Sequence, residues 1–279
     1  LLDNYLKLKQ ETLLLILLII FSFLVRIPII IIFGDAAIEN EWESLLYNLV
    51  EHKTLSFEQF DSFLLPNLLM PPLYAYYLYI FSFFNLGAQN FVLLILFSQI
   101  VLASISVGVF YKINKLFFSK KISFYSSLLF SLFPIYLYAC SQISSVSLTI
   151  FLALFFYYYF FKLTNSNKFT YIFLFAVIGG LLILLRREFV IIVILSSFYL
   201  FFYFKISIKN ILLVFLITLI TLSPYLLRNY LIYEKIIIHS SFGFNLWKGN
   251  NQNSKVGGSF IIEKSLQNKI DKIPKNKFF

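Results

Sequence analysis

Charge is scarce in this sequence. Only 13% of its 279 residues are Asp, Glu, Lys or Arg, 60% are hydrophobic, and the mean hydropathy is +0.84. Soluble domains carry about twice that share of charge, so the soluble classes are excluded. Cysteine occurs once, at Cys140, which excludes an internal disulfide and a cysteine-built metal site. The two histidines, His52 and His239, lie far apart in the chain and are not expected to bind metal. Glycine and alanine are sparse while Phe, Ile, Leu and Tyr dominate. That bias reads as a compositional habit of the source.

What is present is a series of long apolar runs from end to end, the pattern of an all-α polytopic membrane protein. The formal net charge of +10 raises the question of nucleic acid. The lysines sit at the ends of apolar runs, where they mark membrane orientation, so membrane lipids and not nucleic acid are the expected contacts. About seven crossing helices are expected, near 13–33, 91–111, 122–139, 143–161, 170–185, 187–204 and 211–227. The first run carries Arg26 and lacks a small-residue cleavage site, so it reads as a retained signal anchor. The chain begins with Leu1 and ends in "KIDKIPKNKFF", and a fragment is expected.

An eighth run, "PPLYAYYLYIFSFF" at 71–84, is too short to cross. Extended to Leu86 it measures about 24 Å at ~1.5 Å per residue, against a hydrocarbon core of about 30 Å. Its leading prolines suit a helix start and its tyrosines suit an interface. If it does not cross, Lys7 and Lys9, the 112–121, 162–169 and 205–209 loops with their lysines, all fall on one side, which the positive-inside rule makes cytoplasmic. The 34–90 segment and the tail after Arg228 then lie outside, although that tail carries eight lysines of its own. Two regions follow: a membrane module over 1–228 containing the external 34–90 segment, and the start of a further external loop over 229–279.

The stretch "GDAAIENEWESLL" places Asp35, Glu39, Glu41 and Glu43 within nine positions. The whole 34–70 loop has seven acidic residues and one lysine. Glu43, Glu51, Glu58 and Asp61 are expected to form a solvated face. Asp35 differs because it follows "RIPIIIIFG" at the membrane boundary, where a carboxylate against apolar surface can act as a base. Arg186, Arg187 and Glu188 interrupt another apolar stretch. They form either a hairpin turn with a local ion pair or an anion site, since arginine forks match phosphate. Arg26, near the outer end of the first span, either snorkels or faces a phosphate. "SQISSVS" at 141–147 offers hydroxyls and Gln142 to a sugar, or caps the next helix. Gly179 and Gly180 read as a close helix contact. The last span ends at "PYLLRN", with Arg228 and Asn229. A short β-like run at 235–240 and a Gly/Asn-rich loop with Trp247 are expected after it, forming a sugar platform or a linker.

Taken in order, these segments resemble the polytopic GT-C glycosyltransferases, which include protein O-mannosyltransferases, the aminoarabinose transferases acting on lipid A, and the RgtA/B/C/D-like branch. Arg26 preceding Asp35, "GDAAIENEW" opening an external loop, and "LLYNLVEHKTLS" as an amphipathic helix carry the likeness. So do the proline-led "PNLLMPPLYAYYLYIFSFFNLG", the turn "LLRREF", and the loop start "PYLLRNYLIYEKIIIHSSFGFNLWKGNN". The resemblance implies an N-terminal portion of an inverting transferase with interfacial helices in its first external loop. Such an enzyme moves a sugar from a polyprenyl-phosphate donor to a lipid, glycan or protein hydroxyl. It would sit in a bacterial inner membrane, serve the cell envelope, and face the periplasm. Asp35 would be the base. Arg186 and Arg187, with Arg228, would lie at the phosphate; Glu39, ahead of Glu41, would orient sugar hydroxyls or support Asp35; Arg26 and Asn229 are further substrate-binding candidates. "CSQISSVS" has no carboxylate, so a reaction without metal or other cofactor is expected. Other classes are a transporter or flippase, an oligosaccharide polymerase or ligase, and a structural subunit. A transporter more often shows inverted repeats, which are not evident here.

Overall fold

A computed structural model describes residues 2–60, 63–238, 240 and 242–250. Asp61, His239 and the lysine-rich stretch over 251–279 lie outside the described residues. The chain is mostly helical, and four helices are long and apolar enough to cross a membrane: Gln10–Phe33 within α1 (Leu2–Phe33), α4 (Ala88–Asn114), α7 (Val146–Asn165) and α10 (Ile208–Tyr233). Three further apolar segments run alongside them: α5 (Lys120–Leu132) with α6 (Pro134–Ala139), α8 (Phe169–Leu185) and α9 (Phe189–Phe202). At ~1.5 Å per residue α8 is about 25 Å long and α9 about 21 Å, both under a full hydrocarbon thickness.

Side-chain register fixes the direction of each helix. Glu11 of α1 pairs with Lys115 just past α4, Ile19 faces Gly108, and Phe23 meets Phe97 at 5.5 Å, so α1 and α4 are antiparallel. Asn114 donates to Ser126 at 3.0 Å and Phe110 stacks on Phe130 at 4.5 Å, which returns α5 in the opposite sense to α4. Phe156 stacks on Phe175 at 4.4 Å, turning α8 back along α7. Gly179 faces Val193, which sets α9 antiparallel to α8. The Thr218 hydroxyl donates to the Ala176 carbonyl at 3.2 Å, and Gly180 lies against Thr221, so α10 runs parallel to α8. A Cβ at Gly180 would fall 2.7 Å from Thr221 Cβ; only glycine admits that approach.

The alternation puts Lys112, Lys115, Lys120, Lys121, Lys162, Lys168, Lys205 and Lys209 at one end of the bundle. Asp35 and the Arg186–Glu188 turn lie at the other. The 71–84 run becomes α3 (Pro72–Ser82), antiparallel to the first turns of α4 through Tyr77–Ser98 and Tyr74–Gln99 hydrogen bonds. Both of its ends stay at the Asp35 end. With α2 (Asn40–Glu51) and a hairpin of β1 (Ser56–Phe60) and β2 (Phe63–Pro66), it forms a cap on that end.

The expected helix over 122–139 is not continuous. Pro134 has no N–H and disfavours helix in the residue before it; Phe133 takes an extended ψ of 119°, and the run divides into α5 and α6. α5 alone is about 20 Å long. Its Ser123, Ser127 and Ser131, all buried, let it pack closely against its neighbours. The β-like run expected at 235–240 is not strand over its described residues, and Trp247 sits in a helix, α11 (Phe242–Gly249), where a loop was expected.

Candidate functional site

α1 stops at Phe33. The Gly34 N–H bonds Ile30 O at 2.8 Å, and a Cβ at Gly34 would collide with that carbonyl, so glycine makes the tight exit that delivers Asp35 to the bundle end. Asp35 then engages the connector between α6 and α7, more than a hundred residues away. Its N–H donates to Ser141 O at 3.1 Å, and its Oδ2 accepts the Ile143 N–H at 2.6 Å. The second of these is a charge-assisted bond. Gln142 Nε2 adds a third stitch, to Phe33 O at 2.8 Å.

The same connector is held from behind by Gln99, a fully buried amide on α4. Its Nε2 donates to Gln142 O at 2.8 Å and to Cys140 O at 3.4 Å, and its Oε1 accepts the Tyr74 hydroxyl at 2.9 Å. Burial pushes the Tyr74 phenol well up, with Tyr77 and then Asp35 acting in the same direction. Tyr74 therefore stays protonated and remains a donor to Gln99. The Trp42 ring from α2 packs edge-on to Tyr74 at 4.7 Å, which ties the cap to this network.

From the other side, Arg186 Nη2 reaches Ser145 Oγ at 3.4 Å, with the rest of its guanidinium exposed. Arg187 lies 3.9 Å from the Glu188 carboxylate, so the local ion pair of the turn exists alongside the exposed Arg186. A carboxylate and an arginine thus flank residues 141–145 of that connector, at the lysine-poor end of the bundle. A cleft of about 460 Å³ opens on the same end between α2 and the α3–α4 turn. It begins at Ala36, next to Asp35, and has Ile38, Leu46 and Phe91 on its walls and Glu43 and Tyr47 at its rim.

Other expected site residues are placed differently. Arg26 is 1% exposed and turned back into the bundle. Its Nη1 donates to Ser22 O at 2.9 Å and to the Ser22 hydroxyl, the Cys140 thiol lies beside it, and its Nε is buried without a hydrogen-bond partner. Buried there, its guanidinium does not reach the surface of the bundle. Arg228 is a clamp: Nη1 donates to Asn67 O at 2.8 Å and Asn229 Oδ1 at 2.7 Å, and Nη2 to Leu55 O at 2.8 Å. Asn229 in turn donates to Ile237 O at 2.7 Å. Arg228 holds the cap to α10, while Asn229 orients Arg228 and ties α10 to the segment that follows it. Glu39 is the N-cap position of α2 and Glu41 lies in its first turn, both exposed, where the helix dipole favours carboxylates. Among the described residues no group of three His, Cys, Asp or Glu is arranged to hold a metal ion.

Sequence reasoning missed Gln99 and the β1–β2 hairpin. A lone amide in the run "FVLLILFSQIVLASIS" is the visible signal for the first, because a buried polar group in apolar sequence needs partners. Neither a protein-family model nor any curated protein matches the chain.

Proposed function

We propose that this chain is an inverting glycosyltransferase of the GT-C kind, taking a sugar from a polyprenyl-phosphate donor at the outer face of a bacterial inner membrane. The observation that carries this reading is the meeting of Asp35 and Arg186 on the 141–145 connector, at the end of the bundle opposite the lysines. Under the positive-inside rule the lysine end is cytoplasmic, so the pair faces outward.

Asp35 presents one carboxylate oxygen to the connector and keeps the other for the acceptor. It takes the proton as the acceptor oxygen attacks the anomeric carbon. The new C–O bond forms while the anomeric carbon–phosphate oxygen bond breaks, and polyprenyl phosphate leaves. A single displacement inverts the carbon, in contrast to a two-step route through a covalent intermediate. Arg186, with Arg187 behind it, offsets the charge that grows on the departing phosphate. The 460 Å³ cleft beside Ala36 is the place for the acceptor, with Glu43 and Glu51 among its lining residues. Arg228, oriented by Asn229, holds the cap that forms one wall. The membrane confines the prenyl chain and the enzyme to one surface, which raises effective concentration.

The test is the purified chain in liposomes with a panel of polyprenyl-phosphate hexoses and pentoses, reading release of polyprenyl phosphate. Release from at least one donor is expected. A folded chain that leaves every donor intact overturns the reading. The observation on the side of a transporter is Arg26, a charge buried within α1 with no carboxylate paired to it among the described residues. A transporter would move the donor without cleaving it.

A further inference from the structure

We infer that Gln99 and Tyr74 are positioning residues for Asp35, acting through the 140–143 connector and coupling it to the external cap. The inference rests on the transferase reading for its catalytic meaning, and on the hydrogen bonds alone for its structural content.

Gln99 sits in the apolar middle of α4 with no exposure. Its two donors and its acceptor are all used: carbonyls of Cys140 and Gln142 on one side, the Tyr74 hydroxyl on the other. A buried amide in such surroundings is costly unless satisfied, and once satisfied it specifies one arrangement. The arrangement it specifies is that of the connector. No regular ladder holds residues 140–143; their backbone groups go to Gln99, Asp35 and the preceding turn. Asp35 in turn takes both of its described contacts from the same four residues, through Ser141 O and the Ile143 N–H. If the connector shifts, Asp35 loses its second anchor and its Oδ2 turns free. The far end of the chain of contacts is Trp42 on α2, packed on Tyr74 and carried by the helix that also walls the cleft. Displacement of α2 would therefore reach Asp35 through Trp42, Tyr74, Gln99 and the connector. A carboxylate acting as base must stay within hydrogen-bond reach of its proton, so a slack connector lowers turnover more than donor binding.

The chain carries its own reporter. Cys140 is its only cysteine and is fully buried, with its carbonyl bonded to Gln99. The test compares wild type with Gln99→Leu, which replaces the amide by an apolar side chain, and Tyr74→Phe, which removes one hydroxyl. Three quantities are read: maleimide labelling of Cys140, carbodiimide modification of Asp35 by mass spectrometry, and kcat against donor KM. Both labelling rates are expected to rise by about tenfold or more in Gln99→Leu, which loses three buried hydrogen bonds, and less in Tyr74→Phe, which loses one. kcat falls and donor KM is unchanged. Asp35 modification that stays at the wild-type rate in both variants overturns the inference, whatever Cys140 does. An inactive wild type whose Asp35 still responds to Gln99→Leu supports the coupling while overturning the transferase reading.

Discussion

Asp35→Asn is expected to lower sugar transfer by about 10²- to 10⁴-fold, the usual contribution of a positioned general base. The fold is expected to survive. The carbonyl oxygen of the introduced amide can still accept the Ile143 N–H that Oδ2 accepts now, and the backbone bond to Ser141 does not depend on the side chain. What disappears is the capacity to take a proton. Asp35→Ala removes both functions, so it should lose activity to a similar extent and also loosen the 140–143 connector. The contrast between the two variants separates chemistry from anchoring. Transfer by Asp35→Asn at the wild-type rate would end the assignment of Asp35 as base.

Arg228→Ala is expected to release the cap without unfolding the bundle. Three hydrogen bonds leave with the guanidinium, and two of them tie α10 to backbone carbonyls more than 150 residues away, at Leu55 and Asn67. Bonds from a charged donor are worth about 1.5–3 kcal/mol each, but Arg228 is only half-buried and water replaces part of the loss, so the net cost should be ~2 kcal/mol. The Tyr225 hydroxyl still reaches Asn67 O at 3.3 Å, and Tyr233 still bonds Pro66 O, so the cap loosens while staying attached. Amide exchange over Ser56–Pro66 should quicken about 30-fold, with exchange in α4 and α8 unaltered. Arg228→Lys should fall between, because one ammonium cannot span both carbonyls as the planar fork does. Unchanged exchange in Arg228→Ala would show that the clamp is dispensable.

The long helices were legible because an apolar run reports its own length. α1, α4, α7 and α10 each hold enough uninterrupted hydrophobic sequence to show as spans. The same arithmetic set 71–84 apart, and α3 is a short helix packed on the first turns of α4. Lysine bookkeeping predicted the common end of three loops, since charge at helix ends is a local property. The break at Phe133–Pro134 was also written in the chain, but hydropathy averaged over 122–139 hides the effect of one missing N–H. Contacts between distant segments were not legible. That Asp35 would anchor residues 141–143, or that Arg228 would hold Leu55 and Asn67, depends on how helices far apart in sequence end side by side, and no periodicity records that. The arginines show the consequence. Arg26, Arg186 and Arg228 look alike as isolated charges beside apolar runs, yet one is buried, one is exposed beside the connector, and one is spent on carbonyls.

The account stands on Asp35 and Arg186 lying outside, across the membrane from the lysines. The most direct measurement places single cysteines at Ile38 and Phe118 in a Cys140→Ser background and exposes intact cells to a membrane-impermeant maleimide. Ile38 lies just past Asp35 and Phe118 in the lysine-rich turn between α4 and α5. Labelling at 38 and protection at 118 is the predicted result. Labelling at 118, whether alone or together with 38, would contradict it and turn the proposed base and phosphate site inside out.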